Sequence, residues 1–305
     1  MKRLTVVLLA IFAVRSSTLG EDALDKDLLP SILHKAIEQH KALRCVNAQV
    51  TVTSILSDEY ISSENIPPEH KTVLKEFSSD YSGSKWRINV NAKRPSGEVA
   101  YSLVSAFDGE RIYSYDHEGA MRVTTDQQWL DGWLHFSGVL FFPYSFFKPG
   151  DEVRNGLPTT LAAFNNVELG ELLKNCKVEV VERGLQVAFR RENSSDQVLF
   201  GAKDHYYPVF FRRSGRDKGG EVEITFEVAE LSQASPGTST TAEILRFPKR
   251  GVLKIYRSGM LQRTDTIEVK SLKNSDCDDD TFTLDPSLAT HVFDADSNTT
   301  IVLPK

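Results

Sequence analysis

The sequence predicts a mainly β, α+β chain: an antiparallel sandwich or barrel with helical additions near its start and in its middle. Three observations predict it. From residue 46 onward, segment after segment alternates apolar and polar side chains with a period of two, as half-buried strands do. About ten such segments follow one another, separated by short Gly-, Asn- and Asp-bearing turns that leave no room for βαβ crossovers. Two stretches break the pattern, one with helical spacing at 27–43 and one over 127–175.

The chain opens on MKRLTVVLLAIFAV, a basic start (Lys2, Arg3) followed by an apolar core from Leu4 to Val14. The small polar stretch SSTLG and then acidic EDALDKD complete the layout of a cleavable signal peptide over 1–20, with cleavage near Gly20. That core is too short to span a bilayer, and no cysteine follows it closely enough for a lipid-anchored N-terminus. Periplasmic or secreted localisation is expected, with residues 21–305 forming one domain. Removing Lys2, Arg3 and Arg15 takes the net charge from −6 to −9. So acidic a chain offers no general footprint for nucleic acid or an anionic membrane.

Residues 27–43 read as an amphipathic helix. Leu29, Leu33, Ala36, Ile37, His40 and Leu43 recur at three-to-four spacing, and Lys35, Glu38 and Lys41 lie opposite. VNAQVTVTSIL (46–56) is a β-branched strand, and SENIPPEHKTVLKE is a helical or loop interruption. DYSGSKWRINVNAK alternates again, and GEVAYSLVSAFDGERIYSYDHEGAMRVTT reads as a three-strand meander. Asp108-Gly109 is a two-residue hairpin signal, and 117–119 a second turn.

The meander gives way to WLDGWLHFSGVLFFPYSFF (129–147), in which Trp129, Trp133, Phe136 and Leu140 share a helical face. Phe141, Phe142, Tyr144, Phe146 and Phe147 follow around Pro143. So much aromatic surface must be covered. A spanning helix is excluded by Asp131, His135, Pro143 and adjacent Lys148. The absence of basic residues over 127–147 speaks against a membrane-surface helix. Two readings stay open: a lid or plug facing a ligand, or permanent core. Strands resume with CKVEVVE, LQVAFRRE, DQVLFG, YPVFFRRS, EVEITFEVAEL, ILRFPKRGVLKIYRSG and RTDTIEVKSL.

Catalytic and metal chemistry finds no motif. There is no GxSxG elbow, Walker loop, GxGxxG or HExxH, and the seven histidines are scattered. DADSNTTIVLPK (294–305) starts like a calcium loop, but Thr299 and Lys305 stand where glycine and a bidentate glutamate are needed, so a hairpin turn is expected. DCDDD (276–280) reads as a solvated turn. The sequons at Asn193 and Asn298 read as polar turns. Cys45, Cys176 and Cys277 allow one disulfide, and the sequence does not choose the pair. Arg190-Arg191 and Arg212-Arg213 close apolar strands, either as charges blunting an edge or as a rim for an anionic headgroup.

ILRFPKRGVLKIYRSG (244–259), a strand ending in KSLKN and then DDDTFTLDPSLATHVFDAD (278–296) form a sequence of motifs. With the N-terminal helix and the SAFDGERIYSYD hairpin, they resemble exported bacterial proteins of the LolA/LolB-like, lipoprotein-sorting type. The resemblance implies a strongly curved, half-open antiparallel β-barrel whose apolar concave face is capped by an N-terminal amphipathic helix, with the 127–175 insertion as helical lid or plug. In that family the cavity accepts acyl chains of lipoproteins or lipids. This chain is longer than the compact carriers, and no lipoprotein-handling residue carries over by position.

The expected function is therefore a non-enzymatic exported carrier without cofactor or metal. Its partner would be a hydrophobic small molecule, lipid or acylated protein, held by Trp129, Trp133, Phe136, Leu140, Phe141, Phe142, Tyr144, Phe146 and Phe147. The alternative is an envelope protein-interaction module in which the same segment is core or docking surface.

Overall fold

The computed structural model describes residues 28–35, 45–82, 85–116, 118–125, 176–190, 194–217, 219–234 and 245–303. Residues 28–35 form helix α1, in agreement with the start of the 27–43 helix; the remainder of that segment lies outside the described residues. Fifteen strands follow: β1 Cys45–Leu56, β2 Thr72–Ser82, β3 Lys85–Lys93, β4 Val99–Phe107, β5 Ile112–Asp116, β6 Ala120–Thr124, β7 Cys176–Val181, β8 Gly184–Arg190, β9 Ser194–Gly201, β10 Tyr207–Asp217, β11 Gly220–Ala234, β12 Leu245–Arg257, β13 Met260–Ser275, β14 His291–Asp294 and β15 Thr299–Val302. A short helix α2, Asp58–Glu64, joins β1 to β2.

All fifteen strands belong to one sheet, in the order β15-β14-β6-β5-β4-β3-β2-β1-β13-β12-β11-β10-β9-β8-β7. Two up-and-down series meet where β1 pairs with β13, so the start of the described β region is zipped to its end. Within the order β7 and β15 are the ends, and the sheet does not close on itself. A two-sheet sandwich is thereby excluded for these residues. One pair departs from the all-antiparallel expectation: β14 runs parallel to β6, with His291 opposite Ala120 and Asp294 opposite Val123. The chain reaches that position through an irregular 276–290 stretch, which a hairpin would not need.

The strand count exceeds the sequence expectation at two places. TVLKE, read as part of an interruption, is the first half of β2; α2 and a 3₁₀ turn at Pro68–His70 lie before it. Ser57 caps α2, accepting from Tyr60 N at 3.1 Å. The other addition is the β14–β15 hairpin, where the failed calcium pattern was expected to be a turn. Asp294 Oδ1 accepts from Asp296 N at 3.0 Å and Ser297 N at 3.2 Å, committing that carboxylate to the turn. The Asp108-Gly109 turn sits one residue later than a two-residue loop starting at Asp108: Asp108 N donates to Arg111 O, and Asp108 Oδ1 caps Glu110 N and Arg111 N.

One face of the sheet carries the core. Val46, Ala48, Val50 and Val52 alternate inward on β1, opposite Phe77 on β2 and in line with Trp86, Ile88 and Val90 on β3. The same cluster continues through Leu253, Phe226, Phe211, Val198, Phe200, Val187 and Leu185, so it reaches from β5 to β8 across the β1–β13 seam. Leu29 and Leu33 of α1, one helical turn apart, are fully buried in it. Gly251 lies inward under the ring of Phe226: a Cβ there would sit 2.6 Å from the ring, so only glycine lets the aromatic lie flat.

The sheet curls around this face. Tyr101 on β4 lies in the fields of Arg263 and Asp265 on β13. Four strand steps separate β4 from β13 in the order, roughly 19 Å in a flat sheet. That proximity agrees with the intervening β3, β2 and β1 bending toward one another.

Cys45 and Cys277 form the disulfide, with Cα atoms 5.6 Å apart and a sequence separation of 232. Cys176 lies outside it, half-buried at the start of β7. DCDDD is thus more than a solvated turn: its cysteine ties the segment to β1, and Phe282 just beyond is fully buried. Replacing Cys45 and Cys277 by serine is expected to cost roughly 2–5 kcal/mol. Urea unfolding of wild type with and without reductant, beside the double variant, checks this; an unchanged midpoint contradicts it.

Candidate functional site

The nine residues expected to hold a ligand (Trp129, Trp133, Phe136, Leu140, Phe141, Phe142, Tyr144, Phe146 and Phe147) lie outside the described residues. The site visible in the described residues is the inner face itself. Cross-strand register divides it into rows. At one end, Phe107 opposes Trp86, ring centroids 6.2 Å apart, and Val46 lies on the same face of neighbouring β1. Leu103, Val90, Phe77, Val50 and Val269 form a wholly apolar row.

The next rows change character. Tyr101, Ala92, Lys75, Val52 and Ile267 follow one another across β4, β3, β2, β1 and β13. Beyond them Ser54 opposes Asp265, which opposes Leu253. Arg263, two residues along β13 from Asp265, donates from Nε to Asp265 Oδ2 at 3.0 Å. Lys75 and Asp265 are buried at 8% and 0% exposure, whereas the Arg263 side chain keeps 31%. Among the described residues, the apolar wall therefore ends in a polar group that contains Lys75, Arg263, Asp265, Tyr101 and Ser54, with Arg263 partly open to solvent. Ala92, the smallest side chain in its row, stands between Tyr101 and Lys75.

Electrostatics follow from that burial. Desolvation depresses the Lys75 ammonium below its ordinary 10.5, Arg263 pushes the same way, and Asp265 opposes both. Burial raises the Tyr101 hydroxyl above its ordinary 10.0, against the field of Arg263 and with that of Asp265. Among the described residues, Ser54 Oγ and Asp265 Oδ1 are buried without a hydrogen-bond partner.

A second buried pair lies farther round the same face. Arg213 grips Asp196 with two bonds of 2.7 and 2.8 Å, and the carboxylate is fully buried. Its neighbour Arg212 points to the other face, bound to Glu223. The edge-blunting reading of the Arg212-Arg213 pair is thus corrected: β10 is an interior strand between β9 and β11, and only one of the two arginines faces outward. Arg190 is exposed near the end of β8.

Sequence reasoning missed Lys75, Tyr101, Arg263 and Asp265. The available signal was a charge at an inward position: Lys75 shares the phase of Phe77, and Asp265 that of Ile267 and Val269. Once β2 is read as an interruption, Lys75 has no phase to violate.

The described residues contain no helix long and apolar enough to cross a membrane. Cys45, Asp80 and Cys277 cluster at metal-ligand spacing, but both sulfurs are committed to the disulfide. No family model matches the chain, and no curated protein matches it. Solved structures do. A LolA superfamily protein from Nitrosomonas europaea aligns with 84% of this chain and 97% of its own, at 12% identity and a TM-score of 0.39. A putative outer membrane lipoprotein-sorting protein domain from Vibrio parahaemolyticus aligns with 83% and 95%, at 9% identity and 0.46. A DUF1329 family protein from Desulfovibrio piger aligns with 83% and 96%, at 9% identity and 0.43. Two of the three carry the description that the sequence motifs resemble, and at these values the likeness transfers neither site nor function.

Two outcomes are expected from the buried charges. Asp196→Ala strands the Arg213 cation and should cost roughly 3–5 kcal/mol, most of it recovered when Arg213→Leu is added; urea midpoints of the single and double variants decide it. Lys75→Met removes a group whose folded form resists protonation, so at pH 7 the variant should be at least as stable as wild type. Between the depressed folded value and 10.5 the unfolded chain binds the extra proton, so wild-type stability from this group rises with pH. The gap between variant and wild type therefore narrows toward pH 10, and a gap independent of pH contradicts the assignment.

Proposed function

We propose that the protein is an exported, non-enzymatic carrier or binding protein for an apolar ligand such as a lipid or a lipoprotein acyl chain. The observation that supports this reading most is the inner face: one curled, unclosed sheet presents a continuous apolar wall from β5 to β8 that ends in buried charges. Lys75 stands on that wall, where desolvating an ammonium costs free energy. Ligand sites of this kind are mostly apolar with a few convergent polar groups. The signal peptide over residues 1–20 and the Cys45–Cys277 disulfide agree with an oxidising compartment outside the cytoplasm.

In this reading residues 21–305 act as one carrier domain, and the 127–175 segment is the cover of the wall. Trp129, Trp133, Phe136, Leu140, Phe141, Phe142, Tyr144, Phe146 and Phe147 then supply the opposing apolar surface. Affinity comes from hydrocarbon burial, about 25 cal/mol per Å² less the cost of ordering.

Native mass spectrometry of gently extracted protein tests it. Wild type is expected to carry lipid-mass adducts, and Trp129→Ala and Trp133→Ala to lose them while keeping the wild-type circular dichroism. Adduct-free wild type whose variants merely unfold would favour the interaction-module alternative, with these rings as core.

A further inference from the structure

We propose that a cleft between β10 and β11 is a docking slot for an extended polypeptide segment of a partner protein, which adds itself as a strand to the edge of β11. The inference goes beyond the carrier reading and does not rest on it, because this cleft is a parting between two strands rather than the inner apolar wall.

The register opens the cleft. β10 and β11 pair from Asp217 opposite Gly220 to Phe210 opposite Glu227 and no further. β11 continues to Ala234 alongside β12, while β10 begins at Tyr207 alongside β9. Continued, the register would set Val209 opposite Val228 and Pro208 opposite Ala229. Pro208 has no N–H to give. Val209 is the extra residue of a bulge against β9, and Ala229 that of a bulge against β12. Two bulges and a proline at one level turn the strands apart. Among the described residues, β11 from Val228 onward therefore has a ladder partner on its β12 side alone.

The gap is a cleft of about 500 Å³, with Gly201, Ala202 and Val209 on one wall and Val228, Ala229 and Leu231 on the other. Its width is held. Arg246, from the far side of β11, donates from Nη1 to Asp204 O at 3.1 Å. His205 and Tyr206, both left-handed at φ 53° and 59°, turn the chain into β10, and Tyr206 N donates to Gly201 O at 2.8 Å. Two successive non-glycine residues in that region carry strain that the surrounding contacts must support.

What the cleft offers selects its occupant. A free strand edge presents N–H and C=O groups at the spacing of an extended main chain. Val228 to Leu231 give roughly 13 Å of such edge, room for a segment of about four residues. Val209, Val228 and Leu231 suit the alternate side chains of an added strand. The charged groups lining the cleft are of both signs, Arg183 and Lys203 beside Glu182, Asp204 and Glu230, so neither a small anion nor a cation is selected. The outer edge at β7, by contrast, carries the Lys177–Glu179 ion pair, a pattern that discourages strand addition.

Calorimetry of the full-length mature protein tests the slot with two uncharged probes. One is acetyl-Thr-Val-Thr-Val-Thr-amide; the other is the same peptide N-methylated at every residue, which keeps the side chains and removes the main-chain donors. Wild type should bind the first at least about tenfold more tightly, the scale of one or two lost hydrogen bonds. Hydrogen exchange should slow at amides 228–231 on binding. Ala202→Trp and Ala229→Trp, at exposed positions on opposite walls, should each weaken binding at least about tenfold and leave the circular dichroism unchanged.

Equal binding of both probes overturns strand addition. Binding of neither, or amides 228–231 already slow in the free protein, overturns the slot itself. Binding that survives in both tryptophan variants puts the peptide elsewhere and overturns the proposal. Lipid adducts are read separately by mass spectrometry, so the slot and the carrier reading fail independently.

Discussion

Everything in this protein depends on the phase of its strands. A single sheet has no second sheet to pack against, so its apolar residues must all fall on one side and that side must curl on itself. A slip of one residue in any interior strand would turn its valines and phenylalanines to solvent. The register shifts that leave Lys270 on β13 unpaired opposite the Gln49/Val50 step, and Ala229 on β11 unpaired between Val228 and Glu230, show how the phase is maintained over strands of 16 and 15 residues. Each bulge adds local twist while returning the following side chains to the inner face. The β1–β13 pairing is the central consequence. It places Val50 against Val269 and Val52 against Ile267, joining the two halves of the core.

Given that phase, the charges on the inner face require an explanation. Arg213 and Asp196 supply each other's partner with bidentate geometry, the arrangement in which a buried ion pair comes nearest to compensating its desolvation. The group around Lys75 is different. Arg263 spends one bond on Asp265, Lys75 is pushed toward its neutral form by desolvation and by Arg263, and one carboxylate oxygen is left unmatched among the described residues. Arg213–Asp196 behaves as a structural pair; the Lys75 group places a desolvated ammonium on the apolar face. Perturbed titration beside an apolar wall is common where proteins bind ligands.

Period-two alternation made the β class, the meander of β4–β6 and the strands β7–β13 legible in the sequence, because each strand there repeats its pattern over enough residues to be read. It also located Leu29 and Leu33 on the buried stripe of α1. What stayed illegible has physical reasons. The first half of β2, TVLKE, looks irregular because a lysine, Lys75, stands at an inward position, so a buried charge erased the pattern that would have revealed the strand. The parallel entry of β14 beside β6 depends on a long-range pairing that no local spacing encodes. Disulfide choice among three cysteines is a matter of Cα separation, 5.6 Å for Cys45 and Cys277, which only the folded chain provides. The aromatic run drew attention by composition, whereas the polar end of the wall consists of single residues scattered over β2, β4 and β13.

The two ends of the inner face now have a common logic. At the Trp86–Phe107 end, tight ring packing and the Cys45–Cys277 bond fix the sheet where β1 meets the 276–290 segment. At the Lys75–Arg263 end no such covalent tie occurs among the described residues: β1 leaves the sheet through α2, capped by Ser57, whose hydroxyl donates to Leu261 O on β13. Among the described residues, the apolar end is thus secured by covalent and packing constraints, and the polar end by hydrogen bonds and strand pairing. Opening to admit a ligand costs least where buried apolar contacts are fewest. On the proposed carrier reading, that asymmetry favours an entrance beside Arg263, which keeps about a third of its side chain exposed.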